Sequence, residues 1–204
     1  MKRIFSAAFM LLFAFSSKAQ TPQNNANKPK LVVGIVVDQM RYDYLNKFWD
    51  KYEEGGFKRI INNGFNFKNN HYNYAPTYTG PGHTSVWTGT SPMNHGIIGN
   101  DWFDKFTGEM VYCAQDDDVA SLGTKTNAGK MSPHRMQATT LSDQNRLHTQ
   151  FRGKTIGVSI KDRGAILPAG HTANAAYWFS GGGDGKFISS TYYMDELQKW
   201  VQKF

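Results

Sequence analysis

The sequence predicts an α/β fold built on a doubly wound, mostly parallel sheet. Two apolar runs predict the sheet: L31-V-V-G-I-V-V37 has no polar member and ends at Asp38, and K154-T-I-G-V-S-I160 ends at Lys161-Asp162-Arg163. Runs this short and this rich in β-branched residues read as strands buried on both faces. The helical partner follows at once, because Met40, Tyr44, Leu45, Phe48, Trp49 and Tyr52 recur at spacings of three and four.

The chain opens with a segment that belongs to targeting. M1-K-R is cationic, Ile4 to Phe15 is apolar, and S17-K-A19 offers small residues at a cleavage position, so residues 1–19 read as a signal peptide. That apolar run is too short to cross a bilayer, and no Cys follows Ala19 to carry a lipid. The expectation is export to the periplasm or the medium without a stable membrane anchor. Residues 20–29 are polar and amide-rich and read as a flexible leader, which leaves residues 30–204 as the folded part. Removing Lys2, Arg3 and Lys18 lowers the formal charge from +7 to +4. A mildly basic chain with no Lys/Arg run argues against nucleic acid as a specific partner and suits a small anion.

With 40% apolar and 19% charged residues the composition is that of a globular protein, and 204 residues suffice for one domain with a core. A single cysteine, Cys113, excludes an internal disulfide and a cysteine-based zinc site. It sits in the apolar run M110-V-Y-C-A114, where it reads as a buried thiol.

Along the chain, the first helix should stop near Gly55-Gly56, and a second, over Phe57 to Asn63, should stop at Gly64. F65-N-F-K68 alternates and predicts an edge strand. The stretch N73-Y-A-P-T-Y-T-G-P-G-H-T-S-V-W-T-G89 then presents five hydroxyls, Thr77, Thr79, Thr84, Ser85 and Thr88. Its Gly-Pro-Gly cluster breaks regular structure, so a helix is expected just after it, over His83 to Thr88, with its first turn facing Thr79. Short strands near Met110 to Ala114 and a helix over residues 139–148 follow. A175-A-Y-W-F-S-G-G-G-D-G-K-F187 is aromatic and Gly-rich. A final helical run, M194 to F204, has no cap or polar tail, which reads as part of a longer polypeptide.

Ligands of doubly wound sheets bind beyond the carboxyl ends of the strands. Asp38 closes the first run, and Lys161 and Arg163 close the later one. If the two strands share a sheet, a carboxylate and two cations meet at one edge, a setting for a phosphoryl or sulfuryl group. The histidines, at 71, 83, 95, 134, 148 and 171, form no H-x-H or H-x-x-x-H pair, so no local histidine metal site is legible.

Six stretches together carry a resemblance: L31-V-V-G-I-V-V-D-Q-M-R-Y-D-Y-L45, E54-G-G-F-K-R59, P76-T-Y-T-G-P-G-H-T-S85, H95-G-I-I-G-N-D-W102, S159-I-K-D-R-G-A-I-L-P-A-G-H171 and F187-I-S-S-T-Y-Y193. The chain resembles the alkaline phosphatase superfamily, and within it the exported, zinc-dependent, phosphate-irrepressible bacterial alkaline phosphatases, relatives of the type I phosphodiesterases and nucleotide pyrophosphatases. The resemblance implies the fold of that superfamily, incomplete at the C-terminus, a monomer, and small-molecule phosphate esters as substrates. It implies that Asp38 is a zinc ligand and that Thr79 is both a zinc ligand and the nucleophile that becomes phosphothreonine. Asn100, Lys161 and Arg163 would bind the phosphoryl oxygens, the two cations serving the extra charge of a monoester.

Two departures bear on this. Sulfatases of the superfamily need Cys or Ser, then Pro two residues on, then Arg; T79-G-P-G-H lacks the first and the last. The resemblance also implies two Zn2+ ions, with the remaining ligands outside this chain, so the 204 residues alone are expected to be inactive. A phosphodiesterase or nucleotide pyrophosphatase is the alternative among hydrolases. Outside them, a secreted binding fragment would use Tyr177, Trp178, Phe179, Tyr192, Tyr193 and Trp200 as stacking surfaces.

Overall fold

The computed structural model describes residues 29–181 and 185–204; the expected signal peptide and nearly all of the leader lie outside the described residues. The chain divides into two units, Met1–Val36 and Val37–Phe204. Of the first, residues 29–36 are described. They form neither helix nor strand, and Leu31, Val32, Val33 and Ile35 are exposed. The expectation of a strand buried on both faces over residues 31–37 is therefore corrected. Apolar composition states a demand for cover, but a strand also needs a neighbour for its N–H and C=O groups, and no ladder of the described residues includes this run.

The second unit begins with helix α1 (Asp43–Lys47) and a 3-10 turn, Trp49–Lys51, shorter than the periodicity suggests. Helix α2 (Gly56–Asn63) stops at Gly64 as expected. Phe65 and Phe67 stack on each other at 4.7 Å, but the segment pairs with nothing, so the expected edge strand at residues 65–68 is absent. Helix α3 spans Thr79–Thr88, four residues earlier than predicted. The Gly-Pro-Gly cluster is its first turn, where a proline loses no hydrogen bond because first-turn N–H groups have no intrahelical acceptor. A short helix, α4 (Pro92–His95), leads into the hairpin β1 (Asp101–Asp104) and β2 (Glu109–Tyr112), paired antiparallel.

The main sheet is mixed. Its strands are β3 (Ser121–Leu122), β4 (Ile156–Ser159), β5 (Ala175–Ser180) and β6 (Lys186–Ser190), in the order β3-β6-β5-β4. The β4–β5 ladder is parallel and the other two are antiparallel, so the described part of the expected sheet holds one parallel pair. The second apolar run does form a strand, but at an edge, with Ile156 and Val158 exposed instead of buried on both faces. The strand buried throughout its first four residues is β5, within the stretch that reads as merely aromatic and Gly-rich. Helix α5 (Leu141–His148) starts with a capping box between Thr140 and Asp143. Of the predicted C-terminal helix only α7 (Lys199–Gln202) forms.

Helix α6 (Asp162–Ala169) lies on β4 and β5 and also packs against α3. Its Ala165, Ile166 and Leu167 are fully buried with Ile97, Cys113, Ala176, Trp178 and Ile188. The approach to β4 is close enough that a Cβ at Gly157 would collide with the Ala165 carbonyl, which is why the strand carries glycine there. The consequence for the site is positional: α3 and α6 pack directly against each other.

Candidate active site

Thr79 is the first residue of α3, preceded by extended Tyr78. Its hydroxyl donates to Asp38 Oδ2 at 3.0 Å, across 41 residues of sequence. The other hydroxyls of the stretch are committed elsewhere or exposed. Thr84 donates to the Gly80 carbonyl and Thr88 to the Thr84 carbonyl, each four residues back. Ser85 is engaged with His95 and Tyr74, and Thr77 is exposed. The hydroxyl directed at a carboxylate is that of Thr79.

Asn100 reaches the same turn. The Gly80 N–H donates to its Oδ1 at 2.8 Å, and because an N–H can only donate, the amide orientation is set and the Nδ2 donors face away from that bond. The approach needs glycine: a Cβ on Gly80 would stand 3.0 Å from the Gly99 carbonyl and 3.3 Å from Cys113 Sγ. Cys113 is buried, as its apolar surroundings predict, and burial followed by the nearby Asp162 charge pushes its thiol up to about 12. It stays a neutral thiol.

The two cations stand at the start of α6. Lys161 is the exposed residue that caps the helix. Arg163 Nη1 donates to the Tyr112 hydroxyl at 2.7 Å. Lys161, Arg163, Tyr112, Met131, Trp178 and Phe179 line a cleft of about 390 Å3. Asn100 links the two parts of the site, since its carbonyl accepts from the N–H of Cys113, the residue after Tyr112. Asp38 thus bonds Thr79 and Asn100 bonds the next residue, Gly80, while Lys161 and Arg163 line the cleft beside Tyr112. The expected meeting of Asp38 with the two cations at one sheet edge is not formed by direct contact among the described residues.

Asp38 and Thr79 supply two oxygen donors whose 3.0 Å separation suits two ligands of one Zn2+, given Zn–O distances of about 2.0–2.2 Å. Among the described residues no group of three His, Cys, Asp or Glu is placed to hold a metal. The residues present fit part of a coordination shell.

Several participants escape sequence reasoning. His83 Nδ1 donates to the Thr79 carbonyl at 2.9 Å. His95 is fully buried, and burial lowers its pKa to about 4. The Ile97 N–H donates to its Nδ1, so Nε2 carries the proton and donates to Ser85 Oγ at 2.9 Å. Ser85 then donates to Tyr74 at 2.7 Å, and Tyr74 to the Pro81 carbonyl. This directed chain pins the first turn of α3 from behind.

Residues 32–203 match the family described as type I phosphodiesterase / nucleotide pyrophosphatase. The chain belongs to that family. It is 48% identical to alkaline phosphatase PhoV of Synechococcus elongatus, over 99% of this chain and 38% of the relative. It is 53% identical to alkaline phosphatase PafA of Elizabethkingia meningoseptica, over 89% of this chain and 33% of the relative. A crystal structure of wild-type PafA superimposes with a TM-score of 0.84 at 54% identity, over 86% of this chain and 34% of that one. A PafA mutant with one Thr, one Asn, one Lys and one Arg substituted superimposes equally well. The α/β class and the resemblance to this superfamily are borne out, and the chain spans about a third of the length of the relatives it matches.

The aromatic C-terminal third contributes in part to the core. Tyr177 and Trp178 are core residues, Trp178 donating to the Ala128 carbonyl, and Trp200 stacks edge-on against Tyr177. Phe179 and Trp200 remain partly exposed, at 39% and 60%. Among the described residues no helix is long and apolar enough to cross a membrane.

Proposed function

We propose that this chain provides the nucleophile and the anion-binding part of a Zn2+-dependent phosphate monoester hydrolase. The observation that carries the reading is the Thr79–Asp38 hydrogen bond, which turns one hydroxyl out of five onto a carboxylate at a helix N-terminus. Thr79 Oγ1 attacks phosphorus, the bond to the ester oxygen breaks, and the departing oxygen takes a proton and leaves as the alcohol. Water then displaces the threonine from phosphothreonine, releasing inorganic phosphate and returning a proton to Thr79. Asn100 Nδ2 donates to one non-bridging oxygen, and the field of Lys161 and Arg163 favours the second negative charge of a monoester.

A threonine hydroxyl is a weak nucleophile, and Zn2+, which Asp38 and Thr79 would hold, supplies when bound the charge that lets the hydroxyl lose its proton. The remaining ligands of a two-zinc site are assigned to polypeptide outside this chain, so the 204 residues alone should show no turnover. Retention of two tightly bound zinc ions with turnover would overturn that statement. The residue types substituted in the PafA mutant, Thr, Asn, Lys and Arg, recur here in the same order as Thr79, Asn100, Lys161 and Arg163, which supports the assignment. Residues 1–19 would export the protein to the periplasm or medium.

The complete gene product tests the reading. Thr79→Ser should keep activity and a phosphorylated intermediate visible by intact mass, and Thr79→Gly should lose both. Full activity in Thr79→Gly removes the nucleophile. The alternative, a phosphodiesterase or nucleotide pyrophosphatase, rests on the family description; an aryl phosphodiester cleaved much faster than the matching monoester would establish it and displace the monoesterase.

A further inference from the structure

Tyr112, the last residue of β2, has a hydroxyl placed between a cation and an anion that are neighbours in sequence. Arg163 Nη1 donates to it at 2.7 Å, and it donates to Asp162 Oδ1 at 2.6 Å. The directions are forced, since a guanidinium only donates and a carboxylate only accepts. Burial, reinforced by Asp162, holds the phenol well above its usual range, so the donating proton stays in place. Arg163 Nη1 and Asp162 Oδ1 are themselves 3.9 Å apart, beyond hydrogen-bond reach. Asp162 is kept at the helix start by accepting from the Arg163 N–H at 2.6 Å.

On the guanidinium, Nη1 is the nitrogen with an acceptor among the described residues, while Nε is buried without one. A guanidinium takes a phosphoryl group through two parallel hydrogen bonds, and Arg163 lines the cleft. With both side chains only 16% exposed, their attraction is weakly screened. Absent the hydroxyl, Asp162 and Arg163 would close into a direct ion pair, and the carboxylate would compete with the phosphoryl group for the guanidinium.

We infer that Tyr112 is a positioning residue for Arg163: its hydroxyl holds Nη1 and keeps Asp162 off the guanidinium, leaving that cation to a dianionic phosphoryl group. The inference deepens the monoesterase reading and rests on it. It makes Tyr112 a determinant of monoester over diester preference, because a diester presents one charge fewer to Arg163.

The test compares Tyr112→Phe, Asp162→Asn and the double variant in the complete gene product, with an aryl phosphate monoester, the matching diester, and inorganic phosphate as a binding probe. Tyr112→Phe keeps the ring, which lies 5.8 Å from Arg163 Cζ, and should lower monoester kcat/KM about ten- to a hundredfold while diester kcat/KM changes less than about twofold. Phosphate affinity should fall with the monoester rate. Asp162→Asn retains the Oδ1 acceptor but not the charge; added to Tyr112→Phe it should restore most of the loss, and alone it should leave monoester turnover near the native value. An unchanged monoester-to-diester ratio in Tyr112→Phe, no rescue in the double variant, or a single Asp162→Asn as damaging as Tyr112→Phe overturns the role. If the native protein turns over neither ester, the monoesterase reading fails on its own; phosphate affinity still decides the positioning, and equal affinity in native and Tyr112→Phe, including none in either, overturns it.

Discussion

Replacing Asp143 by Asn tests the hub that holds α5 to the chain after α6. Asp143 is 1% exposed. Its Oδ2 accepts from the Thr140 N–H at 2.9 Å and hydroxyl at 3.1 Å, and its Oδ1 from the Thr172 N–H and hydroxyl, both at 2.8 Å. His171 Nδ1 stands 3.6 Å from Oδ2. Both oxygens face backbone donors, so whichever way the Asn amide is turned, its NH2 meets an N–H and leaves that group unpaired. An unsatisfied buried donor costs about 1–3 kcal/mol, and a hydrogen bond to a charged acceptor contributes more than a neutral one, so the variant should lose roughly 2–4 kcal/mol.

The pH dependence of that loss is specific. Burial alone would raise the Asp143 pKa, but His171, Thr140 and Thr172 overcome it and hold the carboxyl well below its usual range. Its contribution is present above the unfolded value of 3.8 and is lost as pH falls. Asp143 raises the His171 pKa against the opposing effect of burial. That contribution is complete below the unfolded value of 6.5 and is lost as pH rises through the folded one. His95 titrates in both proteins, so the native-minus-variant difference from urea unfolding isolates the pair. It should be largest between about pH 4 and 6.5 and shrink on either side. A difference below about 0.5 kcal/mol, the size of an ordinary surface substitution, or one flat across pH 3 to 8, would refute the reasoning.

Other expectations follow from single contacts. Ser85→Ala strands the His95 Nε2–H in a buried site and should cost about 1–3 kcal/mol by thermal or urea unfolding, with Ser85→Thr recovering part of it. In native protein, long-range 1H–15N spectra should show His95 neutral with the proton on Nε2 from pH 8 down to about pH 5, because burial lowers its pKa to about 4; titration near 6.5 would remove the directed chain. Gly157→Ala forces a Cβ onto the Ala165 carbonyl and should destabilise by about 1–3 kcal/mol, where an unstrained strand would gain from the change.

The sequence made the Thr79 loop legible because its signals are local: Thr79, the Gly-Pro-Gly turn and the helix behind it lie within ten residues. Asp38 was legible as the polar end of an apolar run. Tyr112 was not, since its partners Asp162 and Arg163 lie 50 and 51 residues away, and nothing local marks a tyrosine ending a short hairpin strand. The misread strands share one cause. Residues 31–37 and 65–68 have strand composition without ladder partners, and β5 has its partners without a clean pattern, because Ala175, Ala176, Tyr177 and Trp178 are buried on both faces. Composition states how much burial a segment demands; pairing depends on residues far away in sequence.

The helix start at Thr79 shows how the same physics serves chemistry. Had α3 begun at His83, the Gly80 and Gly82 N–H groups would belong to a loop. Instead the Gly82 N–H bonds the Tyr78 carbonyl at 2.8 Å, and the Gly80 N–H is spent on Asn100. Each of these bonds therefore fixes something around Thr79: the turn through Tyr78, its carbonyl through His83, and the following N–H through Asn100. If Thr79 is the nucleophile, as proposed, a rotatable hydroxyl on a backbone held in this way needs little reorganisation to reach its target. On the proposed reading the rigid side of the site lies on α3, and a single phenol keeps the charge of Arg163 apart from that of Asp162.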